Sequence, residues 1–236
     1  MTHPQKVAIV TGASQGLGAG IVQGYRDKGY AVVANSRTIQ PSVDDGVVTV
    51  AGDIGDPDVA RRIVETAVDR FGRIDALVNN AGVFVAGPMA ETPEEAYRRV
   101  LRTNLDGFFF VTQEAVKVMH EQKSGHIVQI STTLVEHALS QVPAVLASLT
   151  KGGLTAVTRG LAVELAAHNI RVNAVAPGII RTPLHAPETL DALRAFAPLN
   201  RVGEVEDVVQ AVLYLESAGF VTGEILHVDG GAIAGH

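Results

Sequence analysis

The chain contains no cysteine. Disulfides, thiolate nucleophiles and thiolate metal sites are therefore excluded, although this says little about compartment. Aromatic residues are sparse, at 5%, and only four of the 236 residues are tyrosines: Tyr25, Tyr30, Tyr97 and Tyr214. Positive charge is not in excess, because 19 Lys and Arg face 25 Asp and Glu, for a net charge of −6. Like charges form no block, so nothing favours nucleic acid or an anionic membrane as a partner. No apolar run is long enough to cross a bilayer free of charges and glycines. No charged n-region with an apolar h-region follows Met1-Thr2-His3-Pro4, so a cytoplasmic protein is expected. His3, His120, His126, His168, His227 and His236 show no ligand spacing, and no metal site is expected.

What is present is a composition 47% hydrophobic and 19% charged, suited to one domain large enough to bury a sheet on both faces. Apolar runs at Val7–Val10, Ala31–Ala34, Val47–Val50, Ile74–Val78, Ile127–Ile130, Val172–Val175 and Ile225–Val228 predict strands. They are mostly continuous rather than alternating, as in strands covered on both sides. The segments between them predict helices. Asp56-Pro57 reads as an N-cap followed by proline at the first helical position, with Gly72 as the stop. Thr92-Pro93-Glu94-Glu95 reads as a capping box with Thr92 as N-cap. Strand–helix alternation implies right-handed βαβ units and an α/β, doubly wound parallel sheet. Residues 179–199 hold extra prolines and weak periodicity, and are expected to form a lid over a substrate.

Gly12, Gly16 and Gly18 follow the first strand and open a helix. Such a turn lets backbone N–H groups approach a pyrophosphate, which the helix N-terminus then favours. The second strand ends in Asn35-Ser36-Arg37. An NAD site usually carries a carboxylate here for the ribose 2′-hydroxyl, whereas Arg37 can pair with a 2′-phosphate. NADP(H) is therefore expected, with NAD(H) as the alternative.

Thr11-Gly12-Ala13-Ser14-Gln15-Gly16-Leu17-Gly18, Asn79-Asn80-Ala81-Gly82 and Pro177-Gly178 together resemble the short-chain dehydrogenase/reductase family along nearly the whole chain. The resemblance implies a seven-stranded, single-domain Rossmann-type fold. It assigns Gly12, Ser14, Gln15, Gly16, Leu17 and Gly18 to the cofactor, with Ser36 and Arg37 beside the adenosine ribose. It places Asp53 and Ile54 at the adenine, Asn80, Ala81 and Gly82 along the nucleotide, and Pro177, Gly178, Ile180 and Thr182 at the nicotinamide. Gln15 departs from the basic residue found there in many NADP-using relatives.

The family's catalytic set is asparagine, serine, tyrosine and lysine. Asn104 matches the asparagine, which usually holds a water joined to the lysine. Lys151 matches the lysine, which bonds the nicotinamide ribose. Thr132 takes the serine position, with Ser131 or Thr133 as alternatives. The tyrosine position, four residues before Lys151, is Ala147. The loop from Thr132 to the Lys151 helix is longer than the family's common pattern. Three proton sources can stand in: the water of Asn104 and Lys151, His137 together with Glu136, and His185 in the lid.

The implied activity is an NADP(H)-dependent oxidoreductase acting on a small carbonyl or alcohol with an atypical proton donor. The alternatives are an NADP(H)-binding sensor or assembly protein without turnover, and a non-redox lyase or isomerase. The segments 108–120 and 146–165 are apolar on more than one face. Relatives associate through these helices, which implies a homotetramer, or failing that a dimer.

Overall fold

The computed structural model describes residues 5–235; the Met1-Thr2-His3-Pro4 lead-in and His236 lie outside them. Seven strands form one parallel sheet: β1 (Val7–Thr11), β2 (Ala31–Ser36), β3 (Val47–Ala51), β4 (Ala76–Asn79), β5 (Gly125–Ile130), β6 (Ile170–Pro177) and β7 (Ile225–Val228). Their spatial order is β3-β2-β1-β4-β5-β6-β7, the doubly wound arrangement that the sequence predicts. The predicted strands all occur, with ends displaced by a few residues.

Helices α1 (Gly16–Asp27) and α7 (Val205–Ser217) cover one face, where Ile21, Tyr25, Val208 and Val212 pack on Ala8, Val10, Val32 and Val128. Helices α2 (Pro57–Phe71), α4 (Gly107–Gln122) and α5 (Val145–Leu165) cover the other, where Ile63, Val111, Met119 and Leu165 meet Ile9, Leu77 and Ile127. Odd and even positions of one strand serve opposite layers, hence the unbroken apolar runs. The strand order reverses between β1 and β4, and open sheets of this kind bind ligands beyond their carboxyl ends at that point.

Local signals mostly hold. The Asp56 side chain accepts the Asp58 N–H at 2.9 Å, Pro57 opens α2, and Gly72 ends it in the left-handed region at φ 78°. The capping box at Thr92 does not form. The Thr92 hydroxyl instead donates to the Pro88 carbonyl at 3.1 Å, on the 3-10 turn Met89–Glu91, and α3 (Glu94–Leu101) starts without a side-chain cap. A capping box does form at α7, between Glu204 and Asp207. Residues 179–199 are not irregular throughout: they hold α6 (Leu190–Leu193) between two short 3-10 turns, Pro187–Thr189 and Arg194–Phe196.

Candidate active site

The glycine turn is built by close approach. Gly12 has φ +65°, and a Cβ there would lie 2.8 Å from the Ala81 Cα. A Cβ on Gly18 would lie 2.2 Å from the Gly12 carbonyl oxygen, so any side chain would push α1 off the sheet. The Asn80 side chain locks the turn, donating to the carbonyls of Thr11 at 2.8 Å and Gly12 at 3.1 Å. The Thr11 hydroxyl accepts the N–H groups of Asn80 and Ala81. Gln15, at the N-cap of α1, makes no side-chain capping bond, so the first-turn N–H groups face the groove uncapped by it.

A groove of about 520 Å³ follows the carboxyl edge of the sheet. Gly12, Gln15, Gly16, Leu17 and Gly18 form one wall, with Arg37 beside them. Asn80, Ala81, Gly82, Pro177, Gly178, Ile180 and Thr182 also line it, with Thr182 beside Gly16. Thr132, Ala147 and Lys151 line the same groove. Ser14, Ser36, Asp53 and Ile54, placed at the cofactor by resemblance, are not among its walls. Asp53 is drawn into an ion pair with Arg102 at 3.0 Å, and Ile54 is buried in the core against Gly107. Asn35, noted in the sequence for not being an acid, is buried and ties β2 to β3 by donating to the Val50 carbonyl at 2.9 Å. Arg37, one residue beyond Ser36, makes no ion pair among the described residues, and the Ser36 hydroxyl is buried without a partner.

Asn104 lies in a π-helical turn, Arg102–Asp106, that joins α3 to α4. Such turns re-aim side chains and recur at functional sites. Its amide bonds both polar groups of the Val83 backbone and the Thr150 hydroxyl. Its side-chain partners are therefore protein groups. Lys151 donates from Nζ to the Ile130 carbonyl at 2.5 Å. Burial lowers the Lys151 ammonium to about 8 from its ordinary 10.5. A Cβ on Gly82 would stand 3.2 Å from Lys151 Nζ and 3.4 Å from Asn104 Oδ1, so both side chains converge on that glycine.

Of the three hydroxyls that end β5, Ser131 turns inward to Thr155 Oγ1 at 2.9 Å, and Thr133 is buried and donates to the Pro177 carbonyl. Thr132 lines both the groove and a second cavity of about 450 Å³. That cavity is walled by Phe84, Leu134, Leu139, Val142, Leu193 and Phe196, with His137 and His185 also at its surface. His137 is not paired with Glu136. Its Nδ1 meets the Ala232 carbonyl at 2.8 Å, and Glu136 instead meets His227 at 3.1 Å. Tyr25 and Tyr30 pack edge to face beneath the sheet, and neither Tyr97 nor Tyr214 lines the groove or this cavity.

The family profile described as enoyl-(acyl carrier protein) reductase matches residues 12–232. The chain is 39% identical to the granaticin polyketide synthase putative ketoacyl reductase 2 of Streptomyces violaceoruber, over 96% of this chain and 95% of the relative. It is 35% identical to the 3-oxoacyl-(acyl-carrier-protein) reductase FabG of Thermotoga maritima, over 97% and 98% respectively. The solved structure of ElxO with NADP bound superposes with a TM-score of 0.92 at 30% identity, covering 98% of this chain and 100% of that one. The chain belongs to the short-chain dehydrogenase/reductase family.

Short-chain dehydrogenases/reductases use NAD(P)(H), and the residues present fit that group. The glycine turn brings bare backbone and an open helix N-terminus to the place of a pyrophosphate. Lys151 offers an ammonium at the other end of the groove. Arg99 on α3 also lines it, beside Arg37 and Lys151 a third cation, and one that no sequence motif marked.

Proposed function

We propose that this short-chain dehydrogenase/reductase is an NADP(H)-dependent oxidoreductase that interconverts an apolar carbonyl compound and its alcohol without a tyrosine at the usual position. The observation that carries this reading is two cavities that share lining residues. The glycine turn, Arg37 and Lys151 share a groove with Thr132, and Thr132 also faces the apolar cavity. When bound, NADP(H) supplies or takes up the hydride. Arg37 holds the 2′-phosphate by charge-assisted hydrogen bonds. Lys151 holds the nicotinamide ribose, Thr132 donates to the substrate oxygen, and Asn104 positions the Gly82–Val83 backbone beneath them. Residues 179–199 act as the lid. Their entry is anchored by the Ile180–Gly203 bridge, and their exit by the bond from the Leu199 N–H to the Gly230 carbonyl at 3.1 Å.

A homotetramer is part of this reading, supported by Phe109 on α4 and by Leu149 and Val163 on α5, which are exposed apolar side chains. Ala147 favours a second reading, an NADP(H)-binding protein without turnover. Fluorescence titration with NADPH and NADH, followed by NADPH consumption against a panel of aryl and alkyl ketones, separates the two. Tight NADPH binding with steady consumption supports the first. Binding with no consumption on any ketone supports the second, and no binding of either nucleotide defeats both.

A further inference from the structure

The geometry points to His185 as the proton donor that serves in place of a tyrosine hydroxyl, a proposal that rests on the oxidoreductase reading above. Phe84, Thr132, Gly178, Leu184 and His185 line both the cofactor groove and the apolar cavity. They therefore mark the junction at which a substrate carbonyl meets the nicotinamide. His185 is the titratable side chain among them. Its Nδ1 is buried and has no hydrogen-bond partner. A buried ring nitrogen left unpaired is costly and rare in native structures, and this one belongs to a side chain at the edge of both cavities.

The other candidates at this end of the sheet are engaged. His137 lines only the apolar cavity, and its Nδ1 meets the Ala232 carbonyl. Glu136 faces His227, and Lys151 Nζ donates to the Ile130 carbonyl. Ala147 lines the groove with only a methyl group, which leaves room that a phenol ring would fill.

The turn that presents His185 is itself tied to the cofactor end. Thr182 Oγ1 accepts the Leu184 N–H, and the Thr182 carbonyl accepts the His185 N–H at 3.0 Å. Thr182 lines the groove beside Gly16 of the glycine turn, so a nucleotide seated there settles the turn that carries the imidazole.

In the reducing direction, the carbonyl carbon takes the hydride of NADPH and its π pair moves onto oxygen. The O–H bond forms as an N–H bond of the His185 imidazolium breaks, leaving neutral imidazole, which then takes up a proton from bulk solvent. The carbonyl is reduced to the alcohol and NADPH is oxidised to NADP+.

Two measurements test this. In protein carrying 15N-labelled histidine, the His185 ring resonances should move when bound NADP+ is exchanged for NADPH, because the neighbouring ring loses its positive charge. Identical resonances in the two complexes overturn the placement. In kinetics, His185→Gln should bind NADPH as the native protein does and lose ~10²–10⁴-fold in ketone reduction. Adding Ala147→Tyr should restore turnover to His185→Gln while raising the native rate far less, a non-additivity that a merely structural role for His185 does not produce. Full activity in His185→Gln overturns the proposal while leaving the oxidoreductase reading intact. Failure of the native protein to bind NADPH defeats that underlying reading instead.

Discussion

Asn104 grips Val83 at both of its backbone polar groups: Oδ1 accepts the Val83 N–H at 2.8 Å and Nδ2 donates to its carbonyl at 3.1 Å. The same Nδ2 reaches Thr150 Oγ1 at 3.1 Å, one residue before Lys151. One buried amide thus joins the segment after β4, the π-helical turn and the lysine helix. Asn104→Ala leaves the part-buried polar groups of Val83 without this partner, at a cost of ~1–3 kcal/mol. For a chain of this size, Tm should fall by ~2–4 °C per kcal/mol. A melting curve checks this, and an unchanged Tm would deny the clamp.

Arg37→Ala tests cofactor choice. A hydrogen bond to a charged group contributes ~1.5–3 kcal/mol, so NADPH affinity should drop by ~10–100-fold. NADH has no 2′-phosphate, and its affinity should hardly change. Fluorescence titrations with the two nucleotides give the comparison, and equal losses would remove the phosphate role of Arg37.

Lys151 makes cofactor binding depend on pH. Burial holds its ammonium at about 8, so the charge is present below that pH and is lost as pH rises through it. NADPH affinity should therefore be highest below pH 8 and decline above it, and Lys151→Met should abolish that slope. Titrations on both sides of this pH, for both proteins, decide the matter.

His126 makes stability depend on pH in the opposite sense. Burial pushes its imidazole below the ordinary value, and the hydrogen bond and charge of Glu216 only partly offset this. The Asn173 Nδ2 donates to His126 Nε2 at 3.1 Å, and Asn173 Oδ1 accepts the Glu224 N–H, which fixes the orientation of the amide. Nε2 is thus an acceptor, and protonating it sets donor against donor. The folded state takes up the proton less readily than the unfolded chain. The stability contribution is complete above ~6.5, the value in unfolded chains, and is lost as pH falls through the lowered folded value. Thermal melts should show Tm falling in that acid range, and His126→Gln should fall less steeply.

Ala147→Tyr tests the empty position. Ala147 is buried on α5, one helical turn before Lys151, and lines the groove. A hydroxyl placed there should raise ketone reduction by ~10²–10⁴-fold in His185→Gln, where the native donor is missing, and far less in the native protein. NADPH oxidation assays read the change. A double variant that folds and binds NADPH but reduces no faster than His185→Gln would mean that the substrate oxygen does not lie near position 147.

The sequence by itself determined the features whose causes are local. Mostly apolar runs marked the strands, because the inner strands have helices on both sides. Asp56, Pro57 and Gly72 marked the ends of α2 because caps act within one turn. Gly12 and Gly18 marked the cofactor turn because only a missing Cβ admits such close backbone contact. Tertiary structure alone decided which partners distant side chains found. It turned Ser131 and Thr133 inward and left Thr132 at the junction of the two cavities. It drew Thr92 back to Pro88, Asp53 to Arg102 and Glu136 to His227, and it brought Arg99 into the groove. Each of these choices depends on groups brought together by the packing of helices on the sheet. Neither residue type nor spacing along the chain carries that information, and the unpartnered nitrogen of His185 came to light the same way.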